Sequence, residues 1–175
     1  TRLTLADGDA IETHNLNRQV YRAGDVGRNK AETLAERLRG INPYAEVRVL
    51  PEMLGTGNIP AVVSEAALVI DSVDFLDAAA ILSLHAEARL QGKTVVAPLA
   101  VGWGGAAFVF APGGPAMADL AGLDPRRPLD GIQYRELFLD MLERYAARLP
   151  FYVVDVVTAQ MKQIQLVHQA MALEQ

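Results

Sequence analysis

The chain has 175 residues, 51% of them hydrophobic and 21% charged, which is enough to bury a core in one domain or in one domain with an appendage. A net charge of −5 argues against broad binding to a nucleic-acid backbone, and the lack of cysteine excludes disulfides, cysteine-held zinc and a thiol nucleophile. No apolar run approaches the roughly 18 residues of a membrane span and no signal peptide opens the sequence, so a soluble, cytoplasmic protein is expected.

In chain order, Arg2–Ala6 reads as a short strand that ends on Asp7 and Asp9. Residues 7–28 form a long polar segment in which Gly24, Asp25 and Gly27 mark turns. From Asn29 to Arg39 the apolar positions Ala31, Leu34, Ala35 and Leu38 recur every three or four residues, which predicts an amphipathic helix, with Gly40 as its C-terminal cap. Ile41-Asn42-Pro43 turns the chain, and Ala45–Leu50 alternates Val47 and Val49 with Glu46 and Arg48, as a half-buried strand does.

Ile59–Glu65 predicts a short helix, and Leu68-Val69-Ile70 a buried strand that stops on Asp71. Leu76–Gln91 is rich in alanine and leucine and reads as a helix, with strands at Lys93–Leu99 and Ala106–Ala111 after it. This alternation favours an α/β fold, a Rossmann-like and mostly parallel sheet with helices on both faces. Residues 112–131 are loop-like, and Gln133–Leu149 and Phe151–Leu173 predict two C-terminal helices. The division expected is a nucleotide-binding domain over residues 1–115 and a helical extension over 116–175, packing on that domain or on a dimer partner.

Ligands of open α/β sheets lie beyond the carboxyl ends of the strands, and Asp7, Asp71 and Asp74 fall at such ends. A carboxylate there can accept from ribose hydroxyls; Arg18 and Lys30 suit phosphate oxygens; Asp74 suits Mg²⁺. At any one of these positions an ordinary cap or polar loop residue competes with that reading. The set Asp7, Asp9, Asn15, Arg18, Gln19, Lys30 and Asp74 carries more weight than its members, since all fall on loops expected along one sheet edge.

The series Asp7-x-Asp9, Asn15-Leu16-Asn17-Arg18-Gln19, Gly27-x-x-Lys30, Ile41-Asn42-Pro43 and Asp71-x-x-Asp74 resembles the ubiquitin-activating-type adenylyltransferases, the MoeB/ThiF/HesA family, over about residues 2 to 111. The resemblance implies binding of Mg-ATP, adenylation of the C-terminal carboxylate of a small ubiquitin-like sulfur carrier of the ThiS/MoaD type, release of pyrophosphate, and a homodimer. It implies ribose binding by Asp7, with Asp9 in the same cluster. Asn15 and Arg18 would face the phosphates, with Gln19 beside them. Lys30 would contact phosphate and the developing charge, and Asp74 would position Mg²⁺ or the phosphates. Arg18, Lys30 and Asp74 would thus be the catalytic set.

The sequence also departs from the family. A G-x-G-x-x-G turn and its strand belong before the position of Thr1, so the chain is expected to start after them. Phe75 and Ala79 stand where the family has Asn and Arg, and the zinc-binding and acceptor cysteines are missing. Without zinc or a thiol the chemistry would stop at the adenylate. These departures keep a second reading open, a non-catalytic module for dimerisation or carrier docking. An NAD-binding Rossmann domain explains neither the Asn15–Gln19 cluster nor Lys30.

Other positions are weaker. Gly102-Trp103-Gly104-Gly105 fits an approach for a diglycine tail or a tight turn. His14 reads as a loop residue, His85 and His168 as surface or satisfied positions, Met141, Met161 and Met171 as core or interface fillers, and Arg126-Arg127 as a solvated pair.

Overall fold

The computed structural model describes residues 2–73, 77–101, 104–120 and 122–123, with single positions at 155 and 159. Asp74, Phe75, Gly102 and Trp103, Arg126-Arg127, His168, Met141, Met161 and Met171 and, apart from positions 155 and 159, the two expected C-terminal helices lie outside the described residues.

Two compact units form, Thr1–Ala66 and Ala67–Gln175. In the first, strand β1 (Arg2–Ala6) runs into the polar segment, which folds as two single 3-10 turns, Thr13–Asn15 and Ala23–Asp25. Helix α1 (Lys30–Ile41) follows, then β2 (Glu46–Leu50) and the short α2 (Ile59–Glu65). Strands β1 and β2 pair in parallel from Arg2↔Glu46 to Ala6↔Leu50, with α1 as the crossover that parallel strands need. Ala31 and Ala35 are buried on α1, small enough for close packing. Gly40 does not cap this helix: it lies within the last turn, and Asn42 is the C-cap, its N–H donating to the Leu38 carbonyl.

The second unit repeats the strand-helix-strand plan. Strand β3 (Leu68–Ile70), helix α3 (Ala78–Leu90) and strand β4 (Thr94–Val101) form another parallel pair, Leu68↔Thr94 through Ile70↔Val96. Asp77 caps α3, its Oδ1 accepting from the Ala80 N–H at 2.9 Å. The helix buries Ile81, Leu84 and Ala88, and Val95 and Phe110 are buried in the sheet.

The expected α/β class is therefore found, with one change of direction. Strand β5 (Gly104–Phe110) is antiparallel to β4, from Val95↔Phe110 to Val101↔Gly104. Only residues 102 and 103 separate the two strands, too few for a crossover, so a hairpin is the sole connection available. A short helix α4 (Met117–Leu120) interrupts the region read as loop, closed by the Asp119 carboxylate accepting from the Ala116 N–H at 2.8 Å.

Gly8, between the first two carboxylates, is required by contact. A Cβ there would lie 2.5 Å from the Met53 backbone nitrogen and 2.8 Å from its Cγ and Sδ. Gly8→Ala is expected to cost about 1–3 kcal/mol, because the close neighbour is backbone and cannot swing aside. The check is the urea midpoint, which falls at unchanged slope if the folded state alone is strained.

Candidate functional site

The polar cluster after β1 is built around the first turn of α1. Residues 9–11 run antiparallel to 28–30: the Lys30 N–H donates to the Asp9 carbonyl at 2.9 Å and the Ile11 N–H to the Arg28 carbonyl at 2.8 Å, around a bridge between Ala10 and Asn29. Asn29 is the helix N-cap, its Oδ1 accepting from the Glu32 N–H at 3.0 Å. Its Nδ2 donates to the Asp7 carbonyl at 2.9 Å and to the Asp9 carbonyl at 3.3 Å. One side chain thus fastens the strand end to the helix start.

Within that frame Asp7 makes an Asx-type turn, its Oδ1 accepting from the Asp9 N–H at 2.9 Å. Lys30 Nζ lies 2.6 Å from Asp9 Oδ2, and the lysine side chain is only 14% exposed. Burial works against the ammonium, but the hydrogen bond to Asp9 and the charges of Asp7 and Asp9 outweigh it and hold the Lys30 pKa above its ordinary value. Tyr21 joins the group, its hydroxyl donating to the Lys30 carbonyl at 3.2 Å. Burial, and then the Asp7 charge, push the Tyr21 phenol up.

The structure brings Asp7, Asp9 and Lys30 together. The other three sequence-derived residues of this unit sit on the adjacent turn. Asn15 is buried, and its Oδ1 accepts from the Glu12 N–H at 2.9 Å, so its oxygen shapes the turn. Arg18 is exposed, with Nη1 donating to the His14 carbonyl at 2.7 Å and to Asn17 Oδ1 at 3.1 Å. Gln19 Oε1 is buried without a hydrogen-bond partner among the described residues, an acceptor with an unmet need. His14 is the loop residue expected, 3.3 Å from Glu12 Oε2.

Ion pairs hold this segment to α1. The Asp25 carboxylate accepts from the Arg22 N–H at 2.8 Å and from Arg37 Nη2 at 2.6 Å, Arg37 also donates to the Val20 carbonyl, and Arg28 pairs with Glu36 at 2.5 Å. The Arg22 amide, followed by Arg37, lowers the Asp25 pKa; Arg28 lowers that of Glu36.

In the second unit Asp71 is buried at the end of β3 and bonded to His85 of α3, 2.8 Å from carboxylate to Nε2. His85 was read as a surface or satisfied position. It is not at the surface, and only one of its nitrogens is satisfied: Nδ1 is buried without a partner among the described residues. Sequence reasoning missed this pair because residues 14 apart give no local signal. It also missed Asn29, although Asn29-x-x-Glu32 is the spacing of a capping box, and Tyr21, which nothing in the sequence marks.

Residues 1–168 match the ThiF family. The chain belongs to that family. It is 32% identical over 114 residues to the SAMP-activating enzyme E1 of Haloferax volcanii, covering 65% of this chain and 42% of that protein. To the sulfur carrier protein ThiS adenylyltransferase of Escherichia coli it is 29% identical over 111 residues, 63% of this chain and 43% of that one. Among solved structures, E. coli tRNA N6-threonylcarbamoyladenosine dehydratase in complex with ATP superposes with a TM-score of 0.51 at 33% identity, over 55% of this chain and 40% of that one. The ThiF-family chain thus spans less than half the length of these relatives. The fold they share is the Rossmann-like one.

Two measurements check this geometry. Asn29→Ala removes the cap and both tethers, and is expected to destabilise by about 2 kcal/mol, the upper end for an N-cap, seen as a lower urea midpoint. Because the folded-state pKa values of Asp25 and Glu36 lie below their unfolded values, the stability these groups add is complete only above about pH 5, beyond both unfolded values, and is lost as pH falls through the lowered ones. Asp25→Asn should therefore flatten the acid limb of the stability profile and leave the neutral region sloping as before.

Proposed function

We propose that this chain is the nucleotide-binding part of an adenylate-forming enzyme, which activates the C-terminal carboxylate of a small ubiquitin-like or sulfur-carrier protein with ATP. The observation that carries the proposal is the Asp7–Asp9–Lys30 arrangement, held by Asn29 at the carboxyl end of a strand and the start of a helix. Family membership and relatives named as activating enzymes and adenylyltransferases support it.

In the reaction, a carboxylate oxygen of the carrier attacks the α-phosphorus of ATP. The new acyl–phosphate bond forms as the bond to the β-phosphate bridging oxygen breaks, and pyrophosphate leaves with that electron pair. No proton is transferred, since the attacking carboxylate is already ionised. The difficulty is charge: one anion approaches another. Lys30 and Arg18 are the cations assigned to offset it, worth several kcal/mol as charge develops on phosphate oxygens. Asp7 suits the ribose hydroxyls as an acceptor. Asn15 and Gln19 line the turn beside Arg18, and the orphan Oε1 of Gln19 suits a donor such as a hydroxyl more than a phosphate oxygen.

Magnesium would come with the triphosphate. Asp9 is engaged by Lys30 and is a poor candidate to hold it, and Asp74 is the carboxylate that the family pattern assigns. There the ion would neutralise phosphate charge. Homodimerisation and a cytoplasmic location complete the proposal as expectations of the same family pattern. Phe75 and Ala79, in place of the amide and guanidinium of that pattern, favour a second reading in which a ThiF-like module docks the carrier without turnover. Pyrophosphate exchange with the carrier present separates the two.

The test is calorimetric titration with Mg-ATP. Arg18→Ala and Lys30→Ala should each weaken binding about tenfold or more, the loss of one charge-assisted phosphate contact. Absence of binding in the wild-type protein, or an affinity in both variants unchanged from wild type, would overturn the proposal.

A further inference from the structure

The proposed reaction leaves one buried polar contact without a role. Asp71 and His85 are 6% and 5% exposed. An ionised carboxylate only accepts, and Asp71 does so twice, from His85 Nε2 at 2.8 Å and from the Val73 N–H at 3.0 Å. Nε2 therefore carries a hydrogen, and Nδ1 is the ring nitrogen left to bind. It is buried without a partner among the described residues. Apolar residues of the same shape would join α3 to the sheet without that unmet need.

His85 lines a niche at the amino end of β4, opposite the end where an open α/β sheet takes a nucleotide. Asp71 does not line it, so Nδ1 is the polar atom that the imidazole can offer there. Two cations share the walls: Arg89, one turn along α3 from His85, and Lys93, just before β4. Arg89 Nη1 donates to the Gly114 carbonyl at 2.6 Å, and a guanidinium has donors beyond that one. Val95, Phe110 and Met117 make the apolar side, with Phe110 edge-on to the imidazole, ring centroids 4.7 Å apart. No carboxylate lines the niche among the described residues; Asp119 of the adjoining α4 accepts from the Ala116 N–H at 2.8 Å. The cavity is about 10 Å³, room for one oxygen atom and not for a whole anion.

We propose that this niche binds a small carboxylate, one oxygen entering to accept from Nδ1–H of His85 and the other held at the mouth by Arg89 and Lys93. In that state His85 carries a hydrogen on both nitrogens, the second taken from solvent. Asp71, from the end of β3, then faces one side of the ring and the ligand the other, with the two cations around them. The apolar walls favour a carboxylate, which needs only one oxygen enclosed, over the more strongly hydrated phosphate. The site shares no residue with the Asp7–Asp9–Lys30 cluster and does not rest on the proposed function.

The test is an NMR titration of nitrogen-labelled protein with sodium acetate, following the ring nitrogens of His85, assigned through its contact with Phe110. Acetate should shift Nδ1 saturably, with half-saturation below about 100 mM. Arg89→Met, which keeps the stem and removes the charge, should raise the half-saturating concentration about tenfold, and Arg89→Lys about threefold or less. Arg89 is exposed, so neither change empties the core; should Arg89→Met fail to fold, Arg89→Gln takes its place. Sodium chloride at the same ionic strength should leave Nδ1 where it was. No saturable shift, an equal shift with chloride, or a charge-removing variant that binds as wild type does would sink the inference and leave a niche for one water. Binding of inorganic phosphate in place of acetate would overturn the carboxylate assignment.

Discussion

A single carboxamide, that of Asn29, is what the candidate site depends on. Its oxygen closes the first turn of α1, and its nitrogen holds the carbonyls of Asp7 and Asp9. The strand end and the helix start become one rigid piece. The Asp7-Gly8-Asp9 turn and the Lys30 side chain take their spacing from that piece. A site set in advance spends less of its binding energy on ordering itself. The tightness has a steric counterpart in Gly8, where the chain passes so close to Met53 that no side chain fits.

The electrostatics follow from that frame. Lys30 lies in the first turn of a helix, where the backbone dipole is positive and a cation is unwelcome. Partial burial makes matters worse, yet the amine stays charged because Asp9 and Asp7 sit beside it. Before any ligand arrives the cluster is close to balanced. A phosphate that reaches Lys30 replaces one anion by another, so its gain there is an exchange energy and not a full ion pair. On the proposed function, a chain of net charge −5 would meet a phosphate through such an exchange.

The α/β plan was legible because helix and strand periods differ: the apolar spacing of α1, α2 and α3 and the β-branched runs of β1 to β4 each have one reading. The direction of β5 was not legible, since a run such as Ala-Ala-Phe-Val-Phe looks the same in a hairpin and in a parallel sheet. The end of α1 was misplaced at Gly40 because glycine is a frequent cap, whereas here Asn42 closes the helix. In the site, the charged members could be singled out from residue type and from the family pattern. The residues that arrange them could not. Asn29 looks like any capping residue until its nitrogen is seen on two carbonyls, and Tyr21 acts through a backbone oxygen. Asp71 and His85 meet only after a strand and a helix have packed.

The cations around the first turn of α1 and its neighbouring segment divide by what already holds them. Arg37 and Arg28 are spent on Asp25 and Glu36, and their work is to hold the 18–28 segment against α1. Lys30 is spent on Asp9. Arg18 differs: the partners it shows are a backbone carbonyl and an amide oxygen, both neutral, and its guanidinium is exposed. A phosphate that displaces those neutral acceptors gains a charged pair with no carboxylate to unseat, and the guanidinium fork can meet two oxygens at once. Under the proposed function, Lys30 would set where a phosphate sits, and Arg18 would offer it a cation that no carboxylate already holds.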